Sequence, residues 1–205
     1  MEVFLFPLVN VTLFPRTTKP LNIFEPRYLG MFKEAAISKT PVAIGYIEEP
    51  GKVAPVNPGE IVPFVRAVAG YGYAQIIEER VNGTLLVFMQ GAGKLRLGPV
   101  VQTGTPYIVC EAQILEEKNQ VDPAMQAHLV AMQKILTRWI HTHIPDPAQR
   151  ELFMQNILQP EEIVGCFASY LVRDYDLQQM VLEFDSLNEK IEFLHRLIES
   201  NELTI

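Results

Sequence analysis

The chain has 205 residues, 48% apolar and 20% charged, the make-up of a folded globular protein able to bury one large core or two small ones. A formal net charge of −7 and a pI near 5.2 argue against a nucleic-acid backbone as main partner, because counterion release needs clustered lysine and arginine. Glu2 stands where a secretory leader would carry a basic flank, and Pro7 interrupts an apolar run too short to span a bilayer, so no membrane association and a cytoplasmic location are expected.

In chain order, Phe6-Pro7-Leu8, Leu13-Phe14-Pro15 and Ile23-Phe24-Glu25-Pro26 come first. Each proline fixes its own φ and pushes the residue before it toward extended geometry, so the run reads as strand, turn, strand, turn, helix start. Pro26 suits a first helical position, and Tyr28, Met31, Phe32 and Ala35 then recur at helical spacing with Lys33 and Glu34 facing water. Short runs rich in Val, Ile and aromatics follow at 42–47, 61–68, 73–77, 84–88 and 107–115, which reads as strands separated by turns. Asn82-Gly83 predicts a type I′ hairpin, and Gly91-Ala92-Gly93 a bend between strands. The stretch 53–63, with Pro55, Pro58, Gly59 and Pro63, predicts a mobile loop projecting from the sheet.

From Glu116 to Asp122 a polar connector leads to helices. Starts are expected at Asp122-Pro123, at Asp146-Pro147, at Pro160 with Glu161 and Glu162, and at Ser186 with Glu189 as a capping box. Met125, Leu129, Met132, Leu136 and Trp139 form the apolar stripe of the first helix. Leu187, Ile191, Leu194 and Ile198 form that of the last, with Glu189, Lys190 and Glu192 outward. The fold class is therefore α+β: a closed or nearly closed β part with one short helix, followed by a helical bundle.

No constellation in the chain demands catalysis. Gly93-Lys94 is no phosphate loop, since Phe88 holds the first glycine position and Leu95 follows the lysine. His141 and His143 lack a third ligand at usable spacing, so neither a metal nor any other cofactor is expected. Cys110 and Cys166 lie far apart in segments of different type, and Cys166 sits in the apolar stripe of Ile163, Phe167 and Tyr170.

The spacing of the opening motifs, Phe-Pro-Leu, Leu-Phe-Pro and Glu25-Pro26-Arg27-Tyr28 followed by Met31, resembles the start of the Lon protease N-terminal domain family. Arg16 departs from the pattern, for the family has glycine there. Gln179 to Leu182 with Glu183, and the leucine-rich helix after it, resemble the family's closing helices, so the likeness spans nearly the whole chain. It implies a PUA-like β-barrel over 1–117 and a helical bundle over 123–205. It also implies a non-catalytic module that recognises polypeptides, since the Lon ATPase and Ser-Lys protease modules have no counterpart in this sequence.

Phe14, Phe24, Glu25, Arg27, Tyr28, Tyr71 and Tyr73 are the candidate binding residues, with Met132, Met154 and Met180 as further apolar candidates on the helices. The expected partners are unfolded or misfolded polypeptides, alongside a protease or chaperone. RNA binding, disfavoured by the scatter of Arg66, Arg80, Lys94 and Arg96, and a hydrolase working through Cys166 and His195 are the alternatives.

Overall fold

A computed structural model of the chain describes residues 1–200 and Leu203; positions 201, 202, 204 and 205 of the second expected domain lie outside the described residues. The chain divides into two compact units, Met1–Leu115 and Glu116–Ile205. The protein is α+β, with strands in the first unit and helices through the second.

The first unit comprises β1 (Glu2–Leu8), β2 (Thr18–Ile23), α1 (Pro26–Ser38), β3 (Val42–Tyr46), β4 (Val68–Glu79), β5 (Leu85–Val100) and β6 (Ile108–Leu115). Strand order is β2-β5-β4-β3-β1-β6, and pairing of β6 back onto β5 closes the ring. Only β1 with β3 is parallel, Phe4 opposite Val42 through Leu8 opposite Tyr46. β5 is long enough to serve two partners in succession: its first half carries β2, Leu85 opposite Ile23, and its second half β6, Lys94 opposite Leu115. Alternation along β1 divides the burial. Val3 and Leu5 join one core with Ala69, Leu95 and Cys110, while Phe4 and Phe6 join a second with α1 through Tyr28, Met31 and Phe32.

Several local expectations are corrected. Gly91-Ala92-Gly93 is no bend between strands, because β5 runs through it with a register shift opposite Tyr71 and Gly72. The glycines serve close approach: a Cβ on Gly91 would stand 2.0 Å from the Phe14 carbonyl oxygen, and one on Gly70 1.9 Å from that of Leu13. At Asn82-Gly83 only Gly83 has positive φ, so the turn is not type I′. The Arg80 and Gly83 N–H groups donate to Thr84 and Arg80 carbonyls, a three-residue loop in which the Asn82 Oδ1 accepts from the Thr84 N–H.

Residues 61–67 are not strand; apart from an isolated bridge of Val65 with Ile47, they form a loop whose Val62 and Phe64 are buried. Pro63 withholds a ladder donor there, and the alternation records burial rather than pairing. Nor does 53–63 project freely. Gly59 N–H donates to Val100 O and Val100 N–H to Glu60 O, both at 2.8 Å. Arg16, standing where the family pattern has glycine, adopts φ +58°, the left-handed region in which glycine is free of strain.

In the second unit the helices are α2 (Gln126–His143), α3 (Pro147–Gln155), α4 (Pro160–Leu171), α5 (Tyr175–Glu183) and α6 (Leu187–Glu199). Asp146 caps α3 by accepting from Gln149 N–H, and Ser186 with Glu189 forms the expected capping box of α6. Gln159 with Glu162 caps α4 in the same way. Asp174 caps α5, a start that was not among those expected. At Asp122-Pro123 a 3-10 turn over Pro123–Met125 precedes α2, and Asp122 makes no side-chain cap.

The buried stripe of α2 runs through Ile140 rather than Trp139, whose indole instead stacks on His143 with ring centroids 4.5 Å apart. On α6, Leu197 is buried where Ile198 was expected, and Lys190 does not face outward. Its ammonium is buried against Glu117 Oε2 at 2.5 Å, holding the connector to the helix. Beside this ion pair, Leu187 N–H donates to Lys118 O and Asn188 Nδ2 to Gln120 O.

Candidate functional site

The first turn of α1 borders an enclosed, largely apolar surface of the first unit. Glu25 is extended (φ −73°, ψ 130°), and its carbonyl accepts from the Tyr28 and Leu29 N–H groups at 3.0 and 2.9 Å, so Pro26 at the first helical position loses no bond. The Glu25 carboxylate receives Arg27 through both Nε (3.0 Å) and Nη2 (2.9 Å). The guanidinium carbon in turn lies 4.5 Å from the centre of the Tyr28 ring. Half exposed as they are, the two charges add little to stability, and their effect is to fix one another's direction. Tyr28 itself is buried, its ring edge-on to Phe6 at 4.6 Å. Burial pushes its phenol above the ordinary range, with the Arg27 charge opposing.

Around this turn opens a cleft of about 680 Å³. One side is made by Phe6, Pro7 and Leu8 at the end of β1 with Ile47, another by Asn22, Ile23 and Phe24 where β2 runs into α1. Val53 to Val56 and Phe64 form a third, and Pro106 to Ile108 close it. The loop that was expected to project from the sheet is thus a wall, pinned at Gly59 and Glu60. Tyr107 ties the back of the cleft to α1, its hydroxyl donating to Glu34 Oε2 at 2.5 Å. Burial first, and the Glu34 bond and charge second, push that phenol up to about 12. Among the described residues Glu25 and Arg27 are the only charged ones lining the cleft, and they pair with each other, so the lining carries no unpaired charge. Phe24 stands at the side of it with 69% of its surface exposed, an aromatic ring in water without burial to explain it.

Of the residues singled out in the sequence, the cleft brings together Phe24, Glu25, Arg27 and Tyr28. Phe14 is buried in the β core, and its carbonyl accepts from the Thr17 hydroxyl. Tyr71 is buried in the core holding Leu95 and Cys110, against Gly93. Tyr73 is half exposed beside a separate shallow hollow with Ala36, Lys39 and Gln90. Met132 is buried in the second unit, Met154 half-buried, and Met180 40% exposed. Sequence reasoning missed Phe6, Phe64 and Tyr107, whose aromatic character was visible but whose meeting depends on contacts between separate segments of the chain.

The thiols make poor nucleophiles. Both cysteines are buried and free. Burial pushes Cys110 up to about 11; burial, with the Glu162 charge adding, pushes Cys166 up to about 12, so the thiolate is scarce at neutral pH. The His195 ring lies stacked on His128 at 3.7 Å, its Nδ1 3.7 Å from Glu199. No helix among the described residues is long and apolar enough to cross a membrane.

Residues 2–200 match the family model described as the ATP-dependent protease La (LON) substrate-binding domain. Among solved structures, a Lon N-terminal domain protein from Xanthomonas campestris superposes with a TM-score of 0.67 at 16% identity, over 95% of this chain and 96% of that one. The N-terminal domain of a Mycobacterium avium complex Lon protease gives the same TM-score at 13% identity, over 95% and 96% of the two chains. At such identities these likenesses speak for the fold. No curated protein matches the chain.

Proposed function

Since this chain belongs to the substrate-binding domain family of the ATP-dependent protease Lon, we propose that it is a polypeptide-recognition module without chemistry of its own, docking unfolded segments in the cleft at the start of α1. The observation that carries the reading is Phe24, solvent-exposed beside a charge-neutral apolar cleft. A binder of varied clients needs such a surface: aromatic area gives affinity, and the absence of an unpaired charge gives tolerance. The buried, high-pKa cysteines and the lack of a phosphate-loop pattern in the sequence favour binding over catalysis. Its partners are unfolded or misfolded polypeptides in the cytoplasm, handed on to or withheld from a protease or chaperone. Phe24, Glu25, Arg27 and Tyr28 form the contact set.

The reading is tested by titrating the protein with one disulfide-bonded model protein in two forms, native and reduced with its thiols blocked. The unfolded form is expected to bind and the native form not to, with Phe24→Ala weakening binding about tenfold while leaving the fold unchanged. Equal affinity for both forms, or an unchanged affinity in Phe24→Ala, contradicts it.

A further inference from the structure

Resting on the reading of the cleft as a polypeptide site, we infer that a client segment binds as an added β-strand on the open edge of β2, with one of its apolar side chains entering the cleft beside Phe24. β2 ends the strand order, and β5 is its one ladder partner among the described residues. The phase of its backbone follows from two facts. Gly91 N–H donates to Thr17 O at 2.8 Å, and the register from Thr18 opposite Gln90 to Ile23 opposite Leu85 has no shift. Alternate residues of an antiparallel strand present both backbone groups to the same side, so Lys19, Leu21 and Ile23 bond to β5, while Thr18, Pro20 and Asn22 turn to the open edge. All three of these outward residues are exposed.

Pro20, with no N–H to offer, occupies an outward position, which is where a sheet edge tolerates proline. It blunts the middle of the edge and leaves the Asn22 N–H and C=O as the complete bonding pair nearest the cleft, whose lining Asn22 shares with Ile23 and Phe24. The chemistry of the occupant follows. A donor and acceptor at strand spacing beside an uncharged apolar hollow fit an extended backbone carrying an apolar side chain. An unfolded chain presents this and the interior of a folded protein does not. Main-chain bonds carry no sequence information, so this mode gives one site many clients, and the hollow adds a preference for an apolar residue next to the bonded one.

The test uses the full chain and a short capped peptide alternating valine and threonine, with lysine at each end, in three forms. These are unmodified, N-methylated on every valine, and N-methylated on every threonine. The two methylated peptides carry the same side chains and differ only in which edge of the strand has lost its donors. The unmodified peptide is expected to bind, one methylated form to lose at least about tenfold, and the other to stay within about twofold. Asn22→Pro, checked for unchanged circular dichroism, is expected to weaken the unmodified peptide to the same degree. Equal behaviour of the two methylated forms overturns the inference, as does unchanged affinity in Asn22→Pro. If the reduced model protein binds in a Phe24-dependent way while the two methylated peptides behave alike, strand addition fails and the recognition reading stands. If neither the reduced protein nor the unmodified peptide binds, both fail. Dimerisation of the free chain that Asn22→Pro abolishes would also overturn the inference, since the edge would then be filled by a second copy.

Discussion

The two units are specified in different ways. In Met1–Leu115 the decisive contacts join distant parts of the chain: β1 pairs with β6 across about a hundred residues, and Gly70 and Gly91 exist as glycines because the backbone of Leu13 and Phe14 passes over them. In Glu116–Ile205 most helix starts carry their own signal within four residues, as at Asp146, Gln159, Asp174 and Ser186. A long-range fold can hold a cleft whose walls come from separate segments. A locally signalled one is more tolerant, because each cap can fail without the others.

That difference is sharpest in a glycine pair. Gly91→Ala is expected to cost about 3 kcal/mol or more in urea unfolding, since its Cβ would stand 2.0 Å from a backbone oxygen that cannot swing aside. Gly104→Ala, with nothing within 4 Å, is expected within about 0.5 kcal/mol of the parent. Equal costs would break the comparison. The second unit also has long-range contacts, among them the buried Lys190–Glu117 ion pair, and Lys190→Ala probes that one. The variant leaves the Glu117 carboxylate largely buried without its ammonium, for an expected loss of about 3 kcal/mol; Lys190→Met with Glu117→Gln together are expected to recover most of it. Ser186→Ala removes a cap and is expected to cost about 1 kcal/mol, the scale of a local signal.

Why some of this was legible in the sequence follows from the same contrast. The entry to α1, the caps at Asp146 and Ser186 and the strand character of the first half are local, and they were read correctly. Lys190 was assigned to solvent because its partner lies 73 residues away, and nothing in the helix pattern distinguishes a lysine that faces water from one that meets a carboxylate. The apolar run at 61–68 read as strand because burial of Val62 and Phe64 in a loop leaves the same alternation as pairing does. Of the cleft, the contiguous part from Phe24 to Tyr28 was visible. Phe6 reaches it through the register of β1, Phe64 from a loop and Tyr107 from just before β6, none of them adjacent in sequence to Phe24. Phe14 and Tyr71 looked like surface candidates because exposure of an aromatic has no local signature.

Alkali gives the smallest effect, absent at neutral pH. Cys110 (ordinary value 9.0, about 11 here), Tyr107 (10.0, about 12) and Cys166 (9.0, about 12) are all raised by burial. A group raised in the folded state contributes stability that is whole below its unfolded value and lost as pH climbs through its folded one. Denaturation midpoints are therefore expected to hold flat to about pH 9 and to fall between there and about 12. Both thiols are expected to resist a thiol reagent at neutral pH until the chain unfolds. Rapid labelling of either in the native protein would show that unit to open more readily than its packing allows.

The central claim, that clients dock in the cleft of the first unit, is tested most directly by amide hydrogen exchange of the chain with and without a saturating unfolded polypeptide. The account expects slowed exchange confined to residues 6–8, 21–28 and 53–56, with the amide of Asn22 among the most protected. Protection appearing only in the helices beyond Glu116, or nowhere while binding is measurable, would contradict it.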